Sequence, residues 1–162
     1  MKGTRGVLVG GGPAPGFNGV INAVTVAARA QGWKVLGIPK GFSMLMKGDV
    51  SEVKELTLAD VDGIEQTGGS IVFTSRAKPM KDEASLANVV ASIQKLGITD
   101  LVTIGGDDTA TSAMAIAKKV GIHIRVAHVP KTIDNDLPLP KGASTFGFEQ
   151  ARGPGAQIVA EP

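Results

Sequence analysis

Short apolar runs ending in glycine, each followed by a stretch with helical spacing, recur along the chain, and this alternation restricts its fold most. The first run is Gly-Val-Leu-Val-Gly at residues 6–10. A loop of Gly11, Gly12, Pro13, Ala14, Pro15 and Gly16 follows. Asn18 then caps a predicted helix to about Gln31, with Val20, Ile21, Val24, Ala27 and Ala28 at its apolar positions. Gly32 ends it, and Val35 to Ile38 is a second strand closed by Pro39. Strand, loop, helix and strand in this length form a βαβ unit, whose strands run parallel.

The pattern continues. Phe42, Met44, Leu45 and Met46 make an apolar turn expected to pack under the sheet edge, and Thr57 to Asp60 suggests a short helix. Gly68 and Gly69 precede an expected third strand, Ile71 to Thr74, with Arg76 just beyond it. Asp82 caps a helix that places Leu86, Val89, Val90, Ile93 and Leu96 on one face before Gly97 stops it. Asp100 to Ile104 is a fourth strand, a helix runs from about Ala110 to Val120, and Ile124 to Val129 is a fifth strand broken by Pro130. This predicts an α/β fold with a doubly wound, mostly parallel, Rossmann-like sheet. Past Asp136 the pattern decays: residues 137–140 read as extended, and a weak helix carrying Gly153, Pro154 and Gly155 spans residues 149–159. With no closing strand before residue 162, the chain reads as a piece of something longer.

Composition narrows the function classes. Net charge is +2 and aromatic content 4%, with no Lys/Arg cluster, which argues against a nucleic-acid partner. No apolar run approaches a membrane span, and the N-terminus does not read as a signal peptide. The absence of Cys excludes disulfides and thiolate metal sites and fits a cytoplasmic location. His123 and His128 have no partners at metal-ligand spacing, so they read as structural, as do Trp33 and the five Met.

In a parallel sheet the loops after strands one, four and five share an edge, where ligands bind in open α/β folds. The first, residues 10–16, is a glycine turn opening a helix, so bare N–H groups and a helix's positive end can meet an anion. It lacks the Gly-Lys-Ser/Thr of a Walker A loop, and it fits the dinucleotide fingerprint poorly because the pattern lands on Pro15. The second is Gly105, Gly106, Asp107, Asp108 and Thr109, where one carboxylate can hold Mg²⁺ beside phosphate oxygens and water. The third carries Lys131, Thr132, Ile133, Asp134, Asn135 and Asp136. A cation beside two carboxylates suits phosphate chemistry: the lysine neutralises phosphate oxygens, and a carboxylate takes a proton from a hydroxyl. Plainer readings exist for each: a tight turn, helix capping by Asp108 or Thr109, an Asn/Asp-rich turn, and a surface role for Arg76.

Together the three loops resemble the phosphofructokinase family. The residues that carry the resemblance are Gly11 to Asn18, Gly105 to Thr109 and Pro130 to Asp136, with Gly69-Ser70-Ile71, Ser75-Arg76 and Thr145 to Glu149 in the same order. The resemblance covers essentially the whole chain and implies phosphoryl transfer to the C1 hydroxyl of fructose 6-phosphate. It implies Asp134 as general base, Asp107 as the Mg²⁺ ligand, and Gly12 and Arg76 at the phosphoryl donor. Thr132, Ile133 and Asp134 would contact the sugar phosphate, with Asp136 supporting their loop. ATP-dependent members have Gly at the positions of Asp108 and Lys131, so this pair implies the pyrophosphate-dependent branch, with both residues contributing to donor binding and catalysis. Family members are longer, and their later Met-Gly-Arg motif and basic residues, which bind the sugar's 6-phosphate, have no counterpart here. Residues 1–136 are thus expected to be a donor-binding core and residues 137–162 the start of a connection to an acceptor-binding part. Little or no turnover by this length alone, and self-association into a homo-oligomer, are expected. The alternatives are a non-catalytic anion-binding fragment and a related ATP- or polyphosphate-using kinase.

Overall fold

The computed structural model describes residues 2–137 and 139–160. Six strands, β1 (Thr4–Val9), β2 (Lys34–Ile38), β3 (Lys54–Glu55), β4 (Asp100–Gly105), β5 (Arg125–Thr132) and β6 (Phe146–Gly147), form one sheet in the order β3-β2-β1-β4-β5-β6. All neighbours pair parallel except β2 and β3, which are antiparallel. Five α-helices, α1 (Phe17–Ala30), α2 (Leu58–Val61), α3 (Glu83–Lys95), α4 (Asp107–Val120) and α5 (Phe148–Ala160), and five short 3-10 helices complete the described elements.

The central strands are apolar on both faces, as strands covered by helices must be. Val7 and Val9 point to one side, where Phe17, Ile21 and Ala28 of α1 close the core. Leu8 points to the other, where Val89 and Ile93 of α3 and Ile116 and Val120 of α4 pack with Phe42 and Leu45. The sheet is therefore doubly wound, and the chain reverses direction across it between β1 and β4, the topological switch point. Thr57 and Asp60 form a reciprocal capping box on α2, and the Asp82 carboxylate accepts from Ser85 N at 2.7 Å to cap α3.

Several local expectations change. Ile71 to Thr74 is a turn rather than a strand: Phe73 sits at φ 54°, which no strand permits, and only Ser75 bridges to Gly10. The strand beyond β2 is instead Lys54–Glu55. α4 starts at Asp107, three residues before the expected start at Ala110, so both carboxylates lie within its first turn. β5 runs through Pro130 to Thr132 because β6 pairs with Lys131 and Thr132. Proline lacks only the donor, and the residues after it find a partner in a segment whose sequence shows no strand pattern. Asn18 caps nothing; it is 2% exposed and reaches across to residues 67–71. Met80 and Met114 are exposed rather than packed, and of the stretch read as extended, Pro138 lies outside the described residues. The weak helix near the end is present as α5, with Pro154 inside it. Among the described residues, no helix is long and apolar enough to cross a membrane.

Candidate active site

A cleft of about 640 Å³ opens at the carboxyl ends of β1, β4 and β5. Gly12, Arg76, Asp107, Asp108, Lys131, Thr132, Ile133, Asp134 and Asp136, the whole set singled out in the sequence, line it. The loops meet because glycines let the backbone close in. A Cβ at Gly105 would stand 2.5 Å from the Gly10 carbonyl oxygen and 2.5 Å from Thr109 Oγ1. Gly10 N donates to Ile104 O at 2.8 Å, tying the ends of β1 and β4 together.

Arg76, which spacing alone leaves on the surface, is drawn in by the turn that replaces the expected strand. Gly11 N donates to Ser75 O at 2.8 Å, and Thr74 Oγ1 donates to Gly11 O at 2.9 Å. The guanidinium consequently lies over the glycine loop, with Nη2 3.4 Å from where a Cβ on Gly12 would be. Gly11 itself adopts φ 90°, open to glycine at little cost. α1 begins directly after this loop with no side-chain cap and no acidic residue in its first turn. Its positive end is left uncompensated, which favours an anion nearby.

Lys131 is only 8% exposed. Its ammonium donates to Gly12 O at 3.1 Å and lies 5.5 Å from the Phe17 ring centroid. Burial pushes its pKa down; Asp134 opposes that, and Arg76 adds to it. Lysine, carboxylate and guanidinium therefore act on one another across the cleft. Asp134 N donates to Thr132 Oγ1 at 3.1 Å, closing the short turn that presents the Asp134 carboxylate. The turn is locked from outside by Asn135, at φ 54°, whose Oδ1 accepts from Thr145 N at 2.9 Å, while Thr145 Oγ1 donates to Thr132 O at 3.0 Å. Asn tolerates this left-handed backbone better than most residues. The organising roles of Asn135 and Thr145 have no local signal beyond the polar turn itself, since ten residues separate the partners.

Both carboxylates of the second loop are placed at the cleft, and neither caps α4; Gly106 is its N-cap. Asp107 Oδ1 accepts from Asp108 N at 2.8 Å, which leaves Oδ2 for a cation. Among the described residues no group of three or more His, Cys, Asp or Glu could cage a metal. Mg²⁺ takes one or two carboxylates and completes its shell with phosphate oxygens and water, a need that the second oxygen of Asp107 fits. Asp108 Oδ2 instead meets Lys78 Nζ at 2.6 Å. Lys78 lines the cleft and escaped the sequence reading, because a lone lysine two residues past Arg76 carries no pattern. His128, by contrast, keeps to a structural place: Nδ1 lies 2.9 Å from Thr103 Oγ1, and burial pushes its pKa down.

Residues 4–159 match the family described as Phosphofructokinase. A pyrophosphate--fructose 6-phosphate 1-phosphotransferase of Naegleria fowleri is 55% identical over 156 residues, 96% of this chain and 36% of that protein. One of Thermotoga maritima is 53% identical over 154 residues, 95% of this chain and 37% of that protein. An ATP-dependent 6-phosphofructokinase 1 of Thermus thermophilus is 41% identical over 147 residues, 90% of this chain and 43% of that protein. The chain thus spans well under half the length of these curated relatives. Among solved structures, phosphofructokinase from Saccharomyces cerevisiae shares the fold at a TM-score of 0.84 and 23% identity, over 98% of this chain and 24% of that one. Sequence match, fold and cleft agree: the chain belongs to the phosphofructokinase family.

Proposed function

We propose that this chain holds the donor-binding side and the general base of a pyrophosphate-dependent phosphofructokinase. The reaction is the reversible, Mg²⁺-assisted transfer of a phosphoryl group from pyrophosphate to the C1 hydroxyl of fructose 6-phosphate. The observation that carries the reading is the meeting of Asp134, Lys131, Arg76, Gly12 and Asp107 in one cleft at the switch point. Family membership alone leaves the donor open, since the ATP-dependent Thermus thermophilus relative is 41% identical. What favours pyrophosphate is Asp108 with Lys131, where ATP-dependent members have glycine. A carboxylate adds bulk and negative charge where a nucleotide's α-phosphate would lie.

In the forward direction the Asp134 carboxylate accepts the C1 hydroxyl proton as that oxygen bonds to the nearer phosphorus. The bridging P–O bond breaks toward the departing phosphate, whose growing charge meets Lys131 and Arg76. Gly12 offers backbone to the donor, and Thr132, Ile133 and Asp136 hold the acceptor side of the loop. Asp107 would hold Mg²⁺, which would supply charge neutralisation to the donor. The segment beyond Asp136 would begin the connection to an acceptor-binding part. Positioning supplies much of the catalysis in phosphoryl transfer, so the isolated chain is expected to bind donor with little turnover. A coupled assay with fructose 6-phosphate, Mg²⁺ and either pyrophosphate or ATP, run on the chain and on a version extended to its relatives' length, tests this. Activity with pyrophosphate alone in the longer version supports the reading; activity with ATP alone overturns it.

Two further results are expected. Asp108→Gly combined with Lys131→Gly weakens pyrophosphate binding and admits ATP, read by titration calorimetry. If ATP stays excluded and pyrophosphate affinity does not move, the account of donor choice is wrong. Pyrophosphate affinity also falls as pH rises through the lowered Lys131 pKa, since only the ammonium attracts the anion. The stability effect has the opposite sign: between the lowered and ordinary lysine values the unfolded chain binds more protons, so Lys131's contribution to stability rises with pH there. Lys131→Gln should abolish this alkaline limb of donor binding; a limb that persists belongs to another group.

A further inference from the structure

A negative Asp108 raises a difficulty for any diphosphate site. Its charge repels pyrophosphate as well as a nucleoside triphosphate, so charge alone selects poorly between them. The ion pair with Lys78 resolves this. Lys78 Nζ stands 2.6 Å from Asp108 Oδ2, and the side chains are 43% and 59% exposed. Beyond the donor cleft lies a second hollow of about 190 Å³, lined by Met80, Lys81, Thr111 and Ser112 along with Lys78 and Asp108. Among the described residues, Lys78 and Asp108 line both hollows and no other residue does. The pair therefore lies where the two hollows adjoin.

We propose that Lys78 is a donor-selecting residue: it neutralises Asp108 and holds it across the cleft, ending the donor site at diphosphate length. Such a partition carries no net charge, because its lysine and carboxylate offset each other, so a diphosphate beside it meets little repulsion. A third phosphate or a nucleoside would have to pass through it into the second hollow. Stability does not account for the pair, because exposed ion pairs contribute little to it. The inference rests on the reading of the cleft as a diphosphate site, and the test separates the two.

Binding of pyrophosphate, tripolyphosphate and ATP to the chain is measured at fixed Mg²⁺ and ionic strength. Lys78→Gln leaves Asp108 unneutralised and weakens pyrophosphate binding about tenfold, while the melting temperature moves by no more than about 4 °C. The same change in an Asp108→Asn background costs no further affinity, and Lys78→Arg preserves it. Lys78→Ala with Asp108→Gly removes the partition and admits tripolyphosphate and ATP. An unchanged affinity in Lys78→Gln, an equal loss in the Asp108→Asn background, or continued exclusion of tripolyphosphate by the double variant each overturns the role of Lys78 alone. A wild-type chain that prefers ATP, or binds neither donor, overturns the diphosphate reading beneath it as well.

Discussion

Asp134→Asn, made in a version with the length of its relatives, lowers kcat by about a hundredfold to ten-thousandfold, the range for loss of a general base. Donor affinity near neutral pH stays within a few-fold, because the donor contacts proposed here belong to Gly12, Arg76 and Lys131. Asn keeps the shape, and Asp134 N can still donate to Thr132 Oγ1, so the loop is retained. A second signature distinguishes loss of the base from general damage. Asp134 raises the Lys131 pKa against burial, so its removal shifts the alkaline limb of pyrophosphate binding to lower pH. Steady-state kinetics with pyrophosphate titrations across pH measure both effects. Undiminished turnover removes Asp134 from the role of base.

Gly105→Ala is the second large effect, and it acts on the fold. The added methyl would lie 2.5 Å from Gly10 O, a backbone atom that moves only if the end of β1 moves. Overpacking of this kind costs about 1–3 kcal/mol, or a fall of about 3–10 °C in melting temperature for a chain of this size. Because Gly10 leads into the glycine loop and Gly105 into Asp107, pyrophosphate binding weakens together with stability. The contrast is Gly155→Ala in α5, where nothing lies within 4 Å of the new methyl. There alanine is expected to be neutral or stabilising by up to about 1 kcal/mol. Thermal and denaturant melts of the two variants settle the comparison; equal effects would mean that the approach of β1 to β4 is looser than the structure has it.

The site was more legible than some of the elements that carry it. Most of its residues lie at or just beyond the ends of β1, β4 and β5, and such positions announce themselves through punctuation of an apolar run. The misread parts were those settled by partners distant in sequence. Ile71 to Thr74 has strand composition, yet Asn18, 53 residues before Ile71, accepts from the Ile71 N–H, and the chain turns. Asn18 in turn looked like a cap because a helix begins beside it, but its amide finds better partners at Thr67 and Gly68. β5 outlasts its proline because Phe146 and Gly147 come alongside.

The order of apolar runs, their glycine ends and the chemistry of three polar loops are properties of the sequence by itself, since burial periodicity and backbone freedom act over a few residues. Those properties carried the doubly wound sheet and the three polar loops that line the cleft, whereas Arg76, by its spacing alone, read as a surface residue. The tertiary structure alone decided that Arg76 lies over Gly12, that Lys78 pairs with Asp108, and that Thr145 braces the Asp134 turn. Each of those is a meeting of side chains or backbone from separate loops. Such meetings depend on how the sheet brings its strand ends together, which no local pattern encodes.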